Sequence, residues 1–268
     1  MPSPDEFAHA VRRLVLEQSR RAHVGHIGSS LAVADIVALL YGRLLKSQDP
    51  EAATRDRVVL SKGHAALALY AGLHLCGHIT AADLDTYCGD DSLLGVHPEP
   101  QLKGVDFATG SLGQGLSVAC GAALAARIQG LDRRVFAILS DAECDEGSIW
   151  EAAMFAAHHQ LANLVAIVDM DGQQAFGFTR DVLDLEPMAE RWSAFGWDVH
   201  EVDGHDVDLM EATVESLEVA SGRPHVLLAR TVFGRGVSYM EGQIKWHYLP
   251  MDERQYSQAL EDIEALRR

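Results

Sequence analysis

Positive charge is scarce in this chain. Lysine and arginine together number 22 against 39 aspartates and glutamates, a formal net charge of −17. That balance argues against general binding to nucleic acid or to an anionic membrane. It leaves room for a local phosphate site built from backbone N–H groups and one metal ion. Cysteine is sparse as well. Cys76, Cys88, Cys120 and Cys144 are scattered, with no C-x-x-C pair. They read as reduced cytoplasmic cysteines, none of them a ligand or a nucleophile. No apolar stretch reaches about 18 residues, so no membrane span is expected. The opening "MPSPDEFAHAVRRL" has no apolar signal-peptide core. Internal repeats, low-complexity runs and disordered linkers are missing too.

What is present suffices for one large α/β domain: 268 residues, 48% of them hydrophobic. Residues 5–21 alternate apolar and charged positions at helical spacing. The Gly-rich bend "HVGHIGSS" follows, with Ser29 or Ser30 placed to cap a helix over about 31–46. "RVVL" (57–60) is a short strand ending in "SKGHA", and helices are expected at about 64–76 and 80–87. After a long polar loop the pattern becomes regular. Helices are predicted at about 113–129, 147–160, 188–195 and 206–220, and strands at 134–139, 164–169, 197–202 and 225–231. Such alternation predicts an α/β fold with a mainly parallel sheet covered on both faces. The reading is one domain over 1–268 with a C-terminal extension, 232–268, that ends in a helix near 252–267.

The stretch "SDAECDEGSIW", 140–150, places Asp141, Glu143, Asp145 and Glu146 straight after the apolar run "VFAIL". Acidic side chains favour helix N-termini, where unpaired N–H groups and the helix dipole stabilise them. Glu143, Asp145 and Glu146 fit that role. Asp141 differs because it ends the strand, and open α/β sheets bind ligands at the carboxyl ends of their strands. The next strand, in "LVAIVDMDGQQ", also ends in carboxylates, Asp169 and Asp171. One β-α-β crossover separates Asp141 from Asp171, which puts both at the same sheet edge. Adjacent carboxylates repel unless something positive sits between them. A Mg²⁺ ion that shares them with cofactor phosphate oxygens fits that position. The loop "TGSLGQGL", 109–116, opens a helix, and its glycines let backbone N–H groups approach a phosphate. Such turns are also common without a ligand. Of thirteen histidines, His26, His64, His97 and His247 sit in loops rather than within helices, suited to proton transfer or to sugar hydroxyls. His9, His74, His78, His158, His159, His200, His205 and His225 read as surface or structural groups.

Taken in order, these loops resemble the thiamine-diphosphate-binding N-terminal half of transketolase, over nearly the whole chain. "GHIGSSLAVADIVALLY" resembles the family's G-H-P-G helix start, and "SKGHAALALYAGL", "GVHPE" and "TGSLGQGLSVACGAALAAR" follow in family order. "SDAECDEGSIWEA" and "NLVAIVDMDGQQ" resemble its diphosphate motif, and "GWDVHEVDGHD" and "ARTVFGRGVSYMEG" extend the match. The resemblance implies a three-layer thiamine-diphosphate-binding fold, with thiamine diphosphate and Mg²⁺ as cofactors. Asp141 and Asp171 would bind Mg²⁺, with the Gln173 carbonyl as third ligand. Gly110, Leu112 and Ala142 would contact the cofactor, with His64 near the diphosphate. His26, His97 and His247 would face the hydroxyl and carbonyl oxygens of a sugar donor. Glu146 would lie at the subunit interface, in a carboxylate network between paired active sites. Four positions depart from the family. Ser140 and Ala142 replace its motif glycines, Asp171 replaces its asparagine, and Tyr248 follows His247 where glycine is more common.

Transketolase holds the aminopyrimidine ring in a second domain for which 268 residues leave no room. The resemblance therefore implies one subunit of a split, cytoplasmic transketolase. Its partner is expected to be a pyrimidine-binding subunit in an α₂β₂ assembly, acting on sugars or sugar phosphates. Three other readings stand beside it: glycolyl transfer to a lipoyl or carrier-protein partner, synthesis of a deoxyxylulose-type product from pyruvate, and a cofactor-poor regulatory scaffold. The short chain and "GVHPE" speak against the second. His97→Ala is expected to impair donor use more than cofactor binding, as measured by donor kinetics beside cofactor titration. Equal loss of both would overturn that role.

Overall fold

The computed structural model describes every residue except 1, 2, 48, 218–220, 267 and 268. The predicted helix ends at 218–220 and 267 therefore lie outside the described residues. The first helix, α1 (Pro4–Ala22), begins with a capping box. Ser3 Oγ accepts from the Glu6 amide, and the Glu6 carboxylate accepts from the Ser3 amide. Next come α2 (Ile27–Ala32) and α3 (Ala34–Leu39), which runs into a π-turn over Leu40–Leu44. Strand β1 (Arg57–Leu60) is followed by α4 (Ala66–Leu75) and α5 (Ala81–Leu84). After the long loop come α6 (Gly115–Ile128), β2 (Val135–Ser140), α7 (Gly147–His158) and β3 (Leu164–Met170). A small antiparallel hairpin, β4 (Gln173–Gln174) with β5 (Gly177–Phe178), leads to α8 (Thr179–Val182) and α9 (Met188–Ala194). The chain ends with β6 (Asp198–Asp203), α10 (Val207–Glu215), β7 (His225–Arg230) and α11 (Glu253–Leu266).

The sheet order is β1-β2-β3-β7-β6, with every pairing parallel. Fully buried strands of this kind need apolar side chains on both faces. In β2, Phe136 and Ile138 join the core layer that holds α1, α3 and α4, while Val135, Ala137 and Leu139 join the layer of α6 and α7. In β3, Val165 and Ile167 face the first layer, and Leu164, Ala166 and Val168 the second. This period-2 split makes the expected three-layer α/β sandwich. It also brings the carboxyl ends of β1, β2, β3 and β7 out along one edge.

One local expectation fails. Ser29 and Ser30 cap nothing, because both are buried inside α2, which starts four residues before the expected 31. His26 takes the N-cap position in a left-handed conformation, with φ of 59°, and makes no side-chain cap bond. Gly28, read as part of a bend, lies within the helix with the Phe233 ring packed onto it; a Cβ there would sit 2.1 Å from the ring. The C-terminal segment returns to the start of the chain: α11 packs on α1 through buried Ala259 and Ile263, and Glu253 pairs with Arg20. All four cysteines are free, and burial pushes Cys120 up to about 12. Among the described residues no helix is long and apolar enough to cross a membrane. Phe136→Ala, in a fully buried position of β2, is expected to cost about 3–5 kcal/mol of stability in urea denaturation.

Candidate active site

Charge converges where β1, β2 and β3 end. Lys62, two residues beyond β1, is fully buried and pairs with Asp169 of β3; its Nζ lies 3.7 Å from Asp171. Thr231, just past β7, donates to the other oxygen of Asp169. Asp141 follows β2 and receives three hydrogen bonds. The Ala142 amide donates at 2.8 Å, the Gly172 amide at 3.0 Å and the Thr179 hydroxyl at 3.0 Å. Asp171 accepts from the Gln173 amide at 2.9 Å. Three buried carboxylates thus face one lysine. Burial would lower Lys62, but Asp169 and Asp171 raise it above the ordinary ammonium range. Burial and the charge of Asp169 lift Asp141 to about 6. Burial, with Asp169 and Asp141 beside it, lifts Asp171 well above its ordinary value. The cluster is short of positive charge. A cavity of about 270 Å³ opens beside Asp141 and Asp171, lined also by Gly172, Phe178, Arg180 and Arg230.

Glu143 contradicts the expectation of a helix-start or solvent carboxylate. It is completely buried. It accepts from the Ser61 hydroxyl, from the Gly113 amide at 2.8 Å and from the Ser140 amide at 3.3 Å. Ser61 in turn accepts from the Gly115 amide at 3.1 Å. The Gly-rich loop is therefore fastened to the end of β1, and its amides at 113 and 115 are spent on protein oxygens rather than left for a phosphate. Its glycines serve close approach: a Cβ at Gly115 would sit 2.2 Å from Ser61 Oγ. The departures at 140 and 142 cost no backbone strain, since neither Ser140 nor Ala142 adopts a positive φ. Ser140 adds a bond, its hydroxyl accepting from the Glu143 amide at 3.1 Å. Asp145 accepts from Gln174 Nε2, and Glu146 makes no side-chain cap bond at the start of α7.

Three of the four loop histidines form a triangle. Ring centroids lie 5.5 Å apart for His26 and His64, 5.2 Å for His26 and His247, and 5.4 Å for His64 and His247. The His26 amide donates to the His247 carbonyl at 3.2 Å. Burial, then His26 and Lys62, lowers His247 to about 4. Burial and Lys62 lower His64 well below its ordinary value, and burial with His97 lowers His26. All three are neutral imidazoles at neutral pH. His97 is exposed, with its ring against Gly110, where a Cβ would lie 3.1 Å from the ring carbon Cγ. Leu112 is half-buried in the turn between Gly110 and Gly113. Glu146 stands apart, exposed beside Gly113.

The structure thus brings Asp141, Asp171 and Gln173 to one corner, and His26, His64 and His247 to another. Gly110 and His97 touch each other. Sequence reasoning missed Lys62, the fastening role of Glu143, and Thr179 and Thr231. Only Lys62 carried a signal: a lysine between small residues, straight after an apolar strand. Among the described residues no three His, Cys, Asp or Glu side chains make a metal site by themselves. With Asp169 taken up by Lys62 and Thr231, Asp141 and Asp171 alone are fewer ligands than a hard divalent cation takes.

The comparisons agree with this geometry. Residues 3–263 match the family model described as transketolase, thiamine diphosphate binding domain. The 6-deoxy-6-sulfo-D-fructose transketolase subunit SqwG of Clostridium sp. (strain MSTE9) is 40% identical over 260 residues, covering 96% of this chain and 94% of that protein. An apulose-4-phosphate transketolase subunit of Phocaeicola vulgatus is 39% identical, over 94% of this chain and 90% of that one. The crystal structure of transketolase from Campylobacter jejuni superposes with a TM-score of 0.90 at 31% identity, covering 97% of this chain but 42% of that one. The chain thus spans nearly the whole of the curated subunits and about two-fifths of the solved transketolase. With its parallel sheet, its carboxylate corner and its match over residues 3–263, the chain belongs to the transketolase family, as its thiamine-diphosphate-binding domain.

Proposed function

We propose that this chain, one unit over residues 1–268 with its extension 232–268 folded back onto it, is the diphosphate-binding subunit of a two-subunit cytoplasmic transketolase. The partner is a pyrimidine-binding subunit in an α₂β₂ assembly. The carrying observation is the corner where Asp141, Asp169 and Asp171 face a single lysine beside three neutral histidines. The three carboxylates outnumber the one lysine, and a divalent cation shared with a diphosphate would offset them.

Asp141 and Asp171 would hold Mg²⁺, with the Gln173 carbonyl as third protein ligand, and Asp171 adds charge where the family has asparagine. Gly110, Leu112 and Ala142 would contact thiamine diphosphate, and His64 would lie near its diphosphate. When bound, the cofactor supplies the carbon nucleophile that carries a two-carbon ketol unit from ketose to aldose. The chain's own work is to orient the sugar and to move protons. A neutral imidazole of His26 or His247 accepts a donor hydroxyl proton as the C–C bond breaks, and returns a proton as the new bond forms. His97 faces the donor's C1 hydroxyl, and Glu146 meets the neighbouring subunit. The two curated relatives are named for sugars ending in a sulfonate or a phosphate. A ketose with an anionic end is accordingly the class of donor to screen first. The relatives are named transketolase subunits, which favours this reading over lipoyl transfer, deoxyxylulose synthesis and the scaffold.

Calorimetry on the chain assembled with its partner is expected to show thiamine diphosphate binding that needs Mg²⁺ and is abolished by EDTA. Asp141→Asn should weaken it by at least about tenfold, the loss typical even of an outer-shell partner. Absence of Mg²⁺-dependent binding in a well-formed complex would sink the reading and favour the scaffold.

A pH dependence follows from His247, which titrates near 6.5 when unfolded and near 4 when folded. Between those values the unfolded chain binds more protons, so this contribution is full above about 6.5 and fades as the pH falls toward 4. In fluorimetric melting, His247→Gln should flatten the acid limb of Tm against pH. A variant curve parallel to wild type would show that His247 is not shielded.

A further inference from the structure

Tyr248 occupies the position after His247 where the family more commonly has glycine. Its backbone is fixed without help from its side chain: a Cβ at Gly25 would lie 2.4 Å from the Tyr248 carbonyl oxygen, and the His26 amide holds the His247 carbonyl. Its ring packs edge-on to His247, with centroids 5.1 Å apart at 63°. Its hydroxyl then reaches across the site and donates to the carbonyl of Ala175, at the tip of the β4–β5 hairpin.

Apart from that bond, the hairpin is short and is tied at its base rather than its tip, by Gln174 Nε2 donating to Asp145 at 3.1 Å and the Thr179 amide donating to the Gly172 carbonyl at 3.0 Å. It pairs only Gln173 with Phe178 and Gln174 with Gly177, and its tip residue Phe176 is 85% exposed. A hairpin this short is not stable alone. Yet the segment leading into it orients both acidic residues. The Gly172 amide donates to Asp141, and the Gln173 amide donates to Asp171. Beside the tyrosine contact, Gly242 lies against Gln173, where a Cβ would be 3.7 Å from Nε2. One phenol thus spans from the histidine triangle to the segment that aims the two carboxylates.

We propose that Tyr248 is a positioning residue that tethers the β4–β5 hairpin to the His247 loop. Filling the metal and diphosphate corner thereby steadies His247, and loss of the tether loosens the corner. The proposal rests on the functional reading above for what fills that corner. The tether itself is a property of the unliganded chain.

The test uses the chain assembled with its partner and two variants. Tyr248→Phe keeps the ring on His247 and deletes the hydroxyl; Tyr248→Gly deletes both. Tyr248 is 55% exposed, so neither opens a core cavity. Without ligand, hydrogen exchange of the 171–178 amides should quicken about 3- to 10-fold in Tyr248→Phe, the scale of one hydrogen bond. The thiamine diphosphate concentration for half-saturation in Mg²⁺ should rise by a similar factor, with donor KM at saturating cofactor within about twofold of wild type. Tyr248→Gly should show the same changes and a raised donor KM. Unchanged exchange and half-saturation in Tyr248→Phe would overturn the tether. If the wild-type assembly binds no thiamine diphosphate, the functional reading falls instead, and the ligand-free exchange still decides the tether.

Discussion

The site is organised around one buried ammonium. Lys62 sits at the meeting of three strand ends with Asp169 against it and Asp171 within 3.7 Å. An unpaired lysine at that depth would be costly to bury, and so would three unpaired carboxylates. Each charge is tolerable only because of the other. The arrangement also fixes geometry, since Lys62 belongs to the loop after β1 and Asp169 and Asp171 to the end of β3, with β2 between them. The cluster holds the sheet edge in register and keeps a deficit of positive charge there.

A second frame, hydrogen-bonded rather than ion-paired, complements the first. Glu143 gathers Ser61, Gly113 and Ser140 into one hydrogen-bonded knot, and His64 of the histidine triangle follows Ser61 by three residues. Lys62 lies two residues from His64, and its charge helps hold His64 and His247 neutral. One residue therefore sets the electrostatics of both halves. The acidic half carries more carboxylates than cations, and the imidazole half is held neutral.

Much of this was legible in the sequence, for identifiable reasons. Strand and helix periods are local, so β1 fell at 57–60 as expected and the alternating run from 113 onward gave the sheet. Asp141 and Asp171 were legible because strand ends and crossover length place them without side-chain detail. Glu143 was not. A carboxylate near a helix start is ordinary, and only the packing of the Gly-rich loop on "SKGHA" shows that it points inward. Ser29 and Ser30 misled for a related reason: capping propensity is local, but both serines are drawn inside α2, where Gly28 packs closely against the distant Phe233. The phosphate reading of "TGSLGQGL" came from a pattern that serves close backbone packing equally well.

The distances along the chain between these partners carry a consequence for biosynthesis. Lys62 and Asp169 are 107 positions apart, and Ser61 and Glu143 are 82. A chain emerging in order presents the loop after β1 long before either acidic residue exists to receive it. Until β3 has left the ribosome, the "SKGHA" loop has no low-energy place inside the sheet, and its lysine stays hydrated. Closing loops of that length is slow and comes late. The site therefore cannot close before β3 has been made, whatever has already formed upstream of it.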